Sequence, residues 1–125
     1  MSKFFISIGV FHNNYPTEAE IAECLYAKEQ LEYMANEKYD STWEDLSDYE
    51  KRNIALCSNM PVELRNYREL GVTTPFVGVK IGHIDEFISI SLANIPFEKI
   101  KEAVKYLKKL GYCEDEIVLY VGRGY

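Results

Sequence analysis

Histidine, cysteine and arginine are the residues of this 125-residue chain best able to carry chemistry, and their spacing decides which chemistry is open to them. His12 and His83 are the only imidazoles, and neither has a second His, Cys or carboxylate at the spacing of a metal-ligand motif. No metal site and no cofactor are therefore expected. His83-Ile84-Asp85-Glu86 brings carboxylates close to an imidazole in sequence, but a polar run between apolar ones reads more simply as a solvent-facing turn. Gly-x-Ser-x-Gly, Walker and Gly-x-Gly-x-x-Gly patterns are absent. Cys24, Cys57 and Cys113 are odd in number and widely spaced, and two of them fall on apolar helical stripes, which reads as reduced, buried thiols. No residue is assigned a catalytic role; an enzyme using His12 or His83 as general acid or base is the alternative.

Two groups of residues have types suited to binding. His12-Asn13-Asn14-Tyr15 follows an apolar run and leads into a helix start, where free amides and the helix dipole favour an anion. The competing reading is a tight turn accommodated by the asparagines, with Tyr15 packed as a hydrophobic staple. The second group is Arg52, Arg65 and Arg68 together with Arg123, which stands in Gly122-Arg123-Gly124. Arginine forks onto phosphate or carboxylate, and flanking glycines let a backbone approach a ligand closely. Surface pairing with neighbouring glutamates is the commoner fate of such residues.

The formal net charge of −6 is unevenly distributed. From Glu18 to Glu50 there are eleven carboxylates against Lys28 and Lys38, so this stretch carries −9 and the remainder +3. Such a block argues against direct nucleic-acid binding and suits attraction to a basic protein, with Glu29, Glu32 and Glu37 as its candidate contacts. A solvated helix face is the plainer reading. No apolar run approaches the length of a membrane span and no signal peptide is recognisable, so a cytoplasmic protein is expected.

These residues must be positioned by secondary structure, and hydrophobic periodicity supplies the outline. Phe4 to Phe11 alternates with period two, one side wholly apolar and the other mixed, as in a central strand. Thr17 with Glu20 has capping-box spacing, and Ile21, Cys24, Leu25, Lys28, Leu31, Met34 and Ala35 continue one helical stripe. Ser41 with Glu44, and Ser47 with Glu50, repeat that spacing; Pro61 to Leu70 reads as a further helix stopped by Gly71. Phe76 to Ile81 and Phe87 to Leu92 read as strands joined by a hairpin at Gly82-His83. Pro96 to Leu110 is an amphipathic helix ended by Gly111, and Ile117 to Val121 is a last strand.

The resulting order is β-α-β-β-α-β. The expected fold is therefore a single α+β domain, a split βαβ (ferredoxin-like) sandwich with an α-helical insertion at about 41–71. In such a sheet the helices cover one face. The other would present Phe5, Phe11 and Phe87 with Tyr120, an apolar patch covered by the insertion, by a second copy in a homodimer, or by a ligand. The functional expectation is a non-enzymatic binding protein of the kind phages and mobile elements use to inhibit a host defence factor. It would dock an acidic helical surface on a protein partner or sequester a small anionic ligand such as a nucleotide. A regulatory homodimer built on the open sheet face is the other alternative, and no membrane association is expected.

Overall fold

The computed structural model describes residues 3–12, 16–69, 72–84, 93 and 95–124, with backbone alone at 3, 4, 67–69, 72–74, 83, 84, 123 and 124. The fold is mixed α+β, with a four-stranded antiparallel sheet and four α-helices among the described residues. The alternating run at the start forms β1 (Lys3–Phe11). The next sheet element is a hairpin of β2 (Glu63–Glu69) and β3 (Val72–Ile84), and β4 (Val118–Gly124) closes the chain. The strand order is β2-β3-β1-β4, so β1 and β3 are central and, among the described residues, β2 and β4 are edges. Ile6, Ile8 and Val10 of β1 are buried, as are Ser7 and Gly9 between them, as a two-sided central strand requires.

Two sequence expectations fail in the middle of the chain, for one physical reason. Pro61 to Leu70 does not form a helix: Glu63–Glu69 is β2, in register with β3 from Glu63 opposite Gly78 to Glu69 opposite Val72. Buried Val62 and half-buried Leu64 flank exposed Glu63, a period-two pattern too short to outweigh the helical alternative until a partner strand is supplied. The insertion therefore does not reach residue 71; its last helix ends at Cys57. Gly82-His83 likewise makes no hairpin, because both residues remain in β3, Gly82 opposite Ile6 and His83 opposite Phe5. A register shift between Ile6 and Ser7 leaves Ile81 as the extra residue of a bulge there. The expected strand Phe87 to Leu92 lies outside the described residues.

The chain divides into two compact units, Met1–Asn13 with Pro61–Tyr125, and Asn14–Met60. In the first, α4 (Phe97–Lys109) lies on β1 and β3, with Ala103 and Leu107 fully buried. Its end is a Schellman motif: Tyr112 N–H donates to the Leu107 carbonyl (3.2 Å) and Gly111 N–H to that of Lys108 (3.0 Å). Gly111 stands at φ +98°, a conformation only glycine adopts freely.

The second unit is helical. Thr17 and Ser47 cap α1 (Glu18–Leu25) and α3 (Asp48–Cys57) with complete capping boxes. The long stripe after Thr17 is two helices, because the backbone turns extended at Tyr26 and Ala27 before α2 (Lys28–Tyr39). That break lets the Tyr26 hydroxyl donate to Ser58, at 3.0 Å from Oγ and 3.2 Å from the carbonyl oxygen. Leu31, Ala35, Trp43, Leu46 and Ile54 make the core of the unit. Ser41 with Glu44 gives only turn structure around Trp43. Among the described residues, no helix is long and apolar enough to cross a membrane.

Candidate functional site

The acidic block sorts into carboxylates that hold the helical unit together and carboxylates that do not. Glu20 and Glu50 close the two capping boxes, and Glu18 meets Arg52 at 3.5 Å. Glu23 and Glu32 serve Trp43: Oε1 of Glu23 accepts the indole N–H at 3.2 Å, and Oε2 of Glu32 accepts the Trp43 backbone N–H, also at 3.2 Å. Trp43 is buried, and Lys51 lies 5.6 Å from its ring centroid. Glu32 therefore has a part in holding the fold. Glu29, Glu37, Asp40, Glu44, Asp45 and Asp48 are exposed, and among the described residues none of their side chains has a hydrogen bond or an ion pair.

Within that second set the spacing on α2 is informative. Glu29, Tyr33 and Glu37 recur every four residues and so line one face, opposite buried Leu31 and Ala35. Tyr33 is 66% exposed and Tyr49, on α3, 69%. A tyrosine flanked by two uncommitted carboxylates combines contact area, a polar tip and negative charge in one stripe. The sequence identified Glu29 and Glu37; Tyr33 escaped notice, although its position midway between them was available from the four-residue step.

The arginines of the sheet are not gathered. Arg52 belongs to the helical unit, where it meets Glu18. Arg65 Nε lies 2.7 Å from Glu63 Oε2 on β2. Because β2 is a strand, Arg65 and Arg68, three apart, do not share one helix side. Arg123 is on β4, at the other edge of the sheet. Arg65 is level with Phe11 and Arg123 with Phe4, so three strand spacings across and seven residues along separate the two backbones by about 27 Å. No single phosphate spans that distance.

The loop residues Asn13, Asn14 and Tyr15 lie outside the described residues. His12 is exposed, its amide donating to the Pro75 carbonyl at 3.2 Å and its ring edge-on to Tyr112 at 6.0 Å. Burial, and after it the charge of Glu116, raises the pKa of the Tyr112 phenol. The cysteines differ from expectation: Cys24, Cys57 and Cys113 are free and exposed. Cys24 stands one residue before the end of α1, where the break at Tyr26 interrupts the stripe expected to bury it. Cys113 begins the three-residue 3-10 turn Glu114–Glu116, with its N–H on Glu116 Oε1 at 2.9 Å. Glu116 foremost, with Asp115, holds the Cys113 thiol pKa above its usual value. Cys113, Asp115 and Glu116 bring their donor atoms within 4.8 Å of one another, all exposed, as parts of the capped turn.

The second sheet face has its own aromatic arrangement. Phe11 stacks 4.8 Å from Phe76 and 5.0 Å from Tyr120, while Phe76 and Tyr120 are 5.7 Å apart. The Phe76 ring lies over Gly9 and Gly78, paired residues on β1 and β3, and is only 2% exposed. Lys80 Nζ sits 3.8 Å from the Phe5 ring centroid. Phe5 is half-buried, Phe11 is 38% exposed, and Phe87 lies outside the described residues. Phe76 is the member of this cluster that sequence reasoning missed. Its signal was the pair of small residues opposite each other, recognisable only once the register of β1 and β3 is known.

A shallow groove of ≈ 280 Å³ runs between α4 and β3, lined by Pro61, Val79, Ile81, Lys99, Glu102 and Tyr106 among others. The Tyr106 hydroxyl donates to Glu102 at 2.8 Å there. None of the sequence-selected binding residues lines it. Comparison with protein-family models, curated proteins and solved structures gives no match to this chain.

Proposed function

We propose that the protein is a non-enzymatic binding protein that docks the Glu29–Tyr33–Glu37 face of α2 onto a basic partner protein. The observation that carries this reading is the exposed tyrosine between two exposed carboxylates with no described partner. The remaining exposed acidic groups of the unit, from Asp40 to Asp48, extend the negative field around it. An inhibitor acting on a host defence factor, in the manner of phage and mobile-element proteins, is the role in which such a surface would occupy a groove built for nucleic-acid phosphates. The nucleotide-sequestering reading receives less support, because the arginines of the sheet are divided between β2 and β4.

For the scaffold, the proposal is a split βαβ, ferredoxin-like sheet. Supporting it are the order β4-β1-β3-β2 read from the far edge, antiparallel neighbours throughout, and a helical crossover on each side that skips one strand. The functional test is affinity purification with the tagged protein at low and high salt, in parallel with a Glu29→Lys/Glu37→Lys variant. A partner held at low salt and lost both in high salt and with the variant supports the reading. A partner retained equally by the variant refutes it. A rise in melting temperature with nucleotides would move the assignment to ligand binding.

A further inference from the structure

A strand longer than its neighbour leaves a step at the side of a sheet. β3 runs from Val72 to Ile84, but β2 pairs with it only as far as Gly78, so Val79 to Ile84 have no described strand on that side. α4 packs on β3, and the groove of ≈ 280 Å³ lies between them at this step. Its lining is apolar on the sheet side and beneath the helix: buried Ile81 and Ala103, with half-buried Val79 and Pro61.

The polar wall comes from one flank of α4. Lys99, Glu102 and Tyr106 line the groove and recur at three- and four-residue steps, so they share a face. Among the described residues Lys99 has no ion pair or hydrogen bond, and Glu102 has no ion pair. Oε1 of Glu102 accepts the Tyr106 hydroxyl at 2.8 Å, which leaves Oε2 uncommitted. On the outer face Glu98 and Lys101, also three apart, do meet, at 3.8 Å. That pair has the Glu-before-Lys order that helices favour, whereas Lys99 and Glu102 stand in the reverse order and stay apart. Lys80 borders the groove as well, but its ammonium sits 3.8 Å from the Phe5 ring centroid, so Lys99 supplies the available positive charge.

We propose that this groove binds a free α-amino acid with an apolar side chain, its carboxylate on Lys99, its ammonium on Glu102 and its side chain over Val79 and Ile81. Neighbouring charges of opposite sign, about 5–6 Å apart at Cβ, match a ligand whose own charges are separated by one carbon. An aliphatic carboxylate would set its anion beside Glu102, and an aliphatic amine its cation beside Lys99, with nothing to offset either. The volume falls just below the range of about 300–1,000 Å³ typical of pockets for drug-sized molecules, which suits an amino acid better than a nucleotide. The groove lies wholly within the sheet unit and the α2 face within the helical one, so either assignment can fail without the other.

The test is titration of the isotope-labelled protein with L-leucine, read by amide NMR at pH about 7, where the ligand is a zwitterion. Saturable shifts are expected at the amides of residues 79–81 and 99–106, with a Kd of about 1 mM, as a small ligand in an open groove gives. Isocaproate, which is leucine without the ammonium, and isopentylamine, which lacks the carboxylate, should each bind about three- to fivefold more weakly. Lys99→Ala and Glu102→Gln, both at exposed positions, should weaken leucine by a similar factor, and Glu102→Gln should erase the preference for leucine over isocaproate. Thermal melts verify that both variants are folded. No saturable shift up to about 50 mM leucine overturns the inference, as does unchanged leucine affinity in both variants. Isocaproate binding as tightly as leucine overturns it too, leaving a site for aliphatic carboxylates.

Discussion

Substituting Gly78 by alanine tests the packing of the second sheet face most directly. A Cβ at residue 78 would meet the Phe76 ring at Cε1 and at Cζ (2.9 Å), and the Ile8 carbonyl oxygen at 3.0 Å. The ring has little room to retreat, being 2% exposed and bounded by Phe11 and Tyr120. An overpacked methyl of this kind costs about 2–3 kcal/mol, offset by less than about 1 kcal/mol from removing a strand glycine. The net loss corresponds to a fall in Tm of roughly 5–10 °C for a chain of this size. Phe76→Leu removes the obstructing ring atoms, so Gly78→Ala in that background should be nearly neutral, a coupling of about 2 kcal/mol. At Gly9 backbone adds to the ring: the new Cβ would press on the Val77 carbonyl oxygen as well as on Phe76 Cζ, and would stand 2.7 Å from the Gly78 Cα. Phe76→Leu should leave most of the Gly9→Ala cost in place. Urea denaturation, with hydrogen exchange of β1 and β3 amides to isolate the sheet, measures all three terms. Strict additivity of Gly78→Ala with Phe76→Leu, or equal rescue at both glycines, would refute the account of the ring as the obstacle.

Other perturbations have simpler readouts. Glu32→Ala leaves the Trp43 amide without its acceptor and should destabilise the helical unit by about 1–2 kcal/mol, whereas Glu37→Lys should stay within about 0.5 kcal/mol; fluorescence of the single tryptophan separates them. Ser47→Ala removes the α3 cap and should cost about 1 kcal/mol in the same assay. Because Glu116, then Asp115, raises the Cys113 pKa, its thiolate forms at higher pH than in the unfolded chain; Glu116→Gln should hasten iodoacetamide labelling of Cys113 at pH about 8. Tyr112 has the same sign: stability associated with its raised pKa is fully present below the unfolded value and lost as pH rises through the folded one, so alkaline melts should show a decline that Glu116→Gln lessens.

The parts of the fold legible in sequence are those whose signals are local. The alternation of β1, the Thr17 and Ser47 capping boxes, and α4 with its glycine stop each depend on neighbours within a few residues. The segment at 63–69 was misread because its helical and strand patterns nearly tie, and only the ladder with β3 separates them. The break at Tyr26 has no proline or glycine to announce it; its stabilising bond is to Ser58, thirty-two positions away. Of the candidate site, Glu29 and Glu37 were readable as surface charge, but Glu32 was indistinguishable from them until its bond to Trp43 was located. The arginines of the sheet are alike in type alone, and strand order separates them.

The central place of β1 has a consequence for how the chain is made. β1 leaves the ribosome well before both strands that flank it: Ile8 pairs with Val79 and Leu119, about 70 and 110 residues downstream. At 5–20 residues per second, β1 waits roughly 4–15 s for β3 and longer for β4, with an apolar side and two unpaired edges. The capped helices between them form from local contacts in that interval. Slower translation across residues 12–84 therefore lengthens the time for which β1 stands without its partner strands.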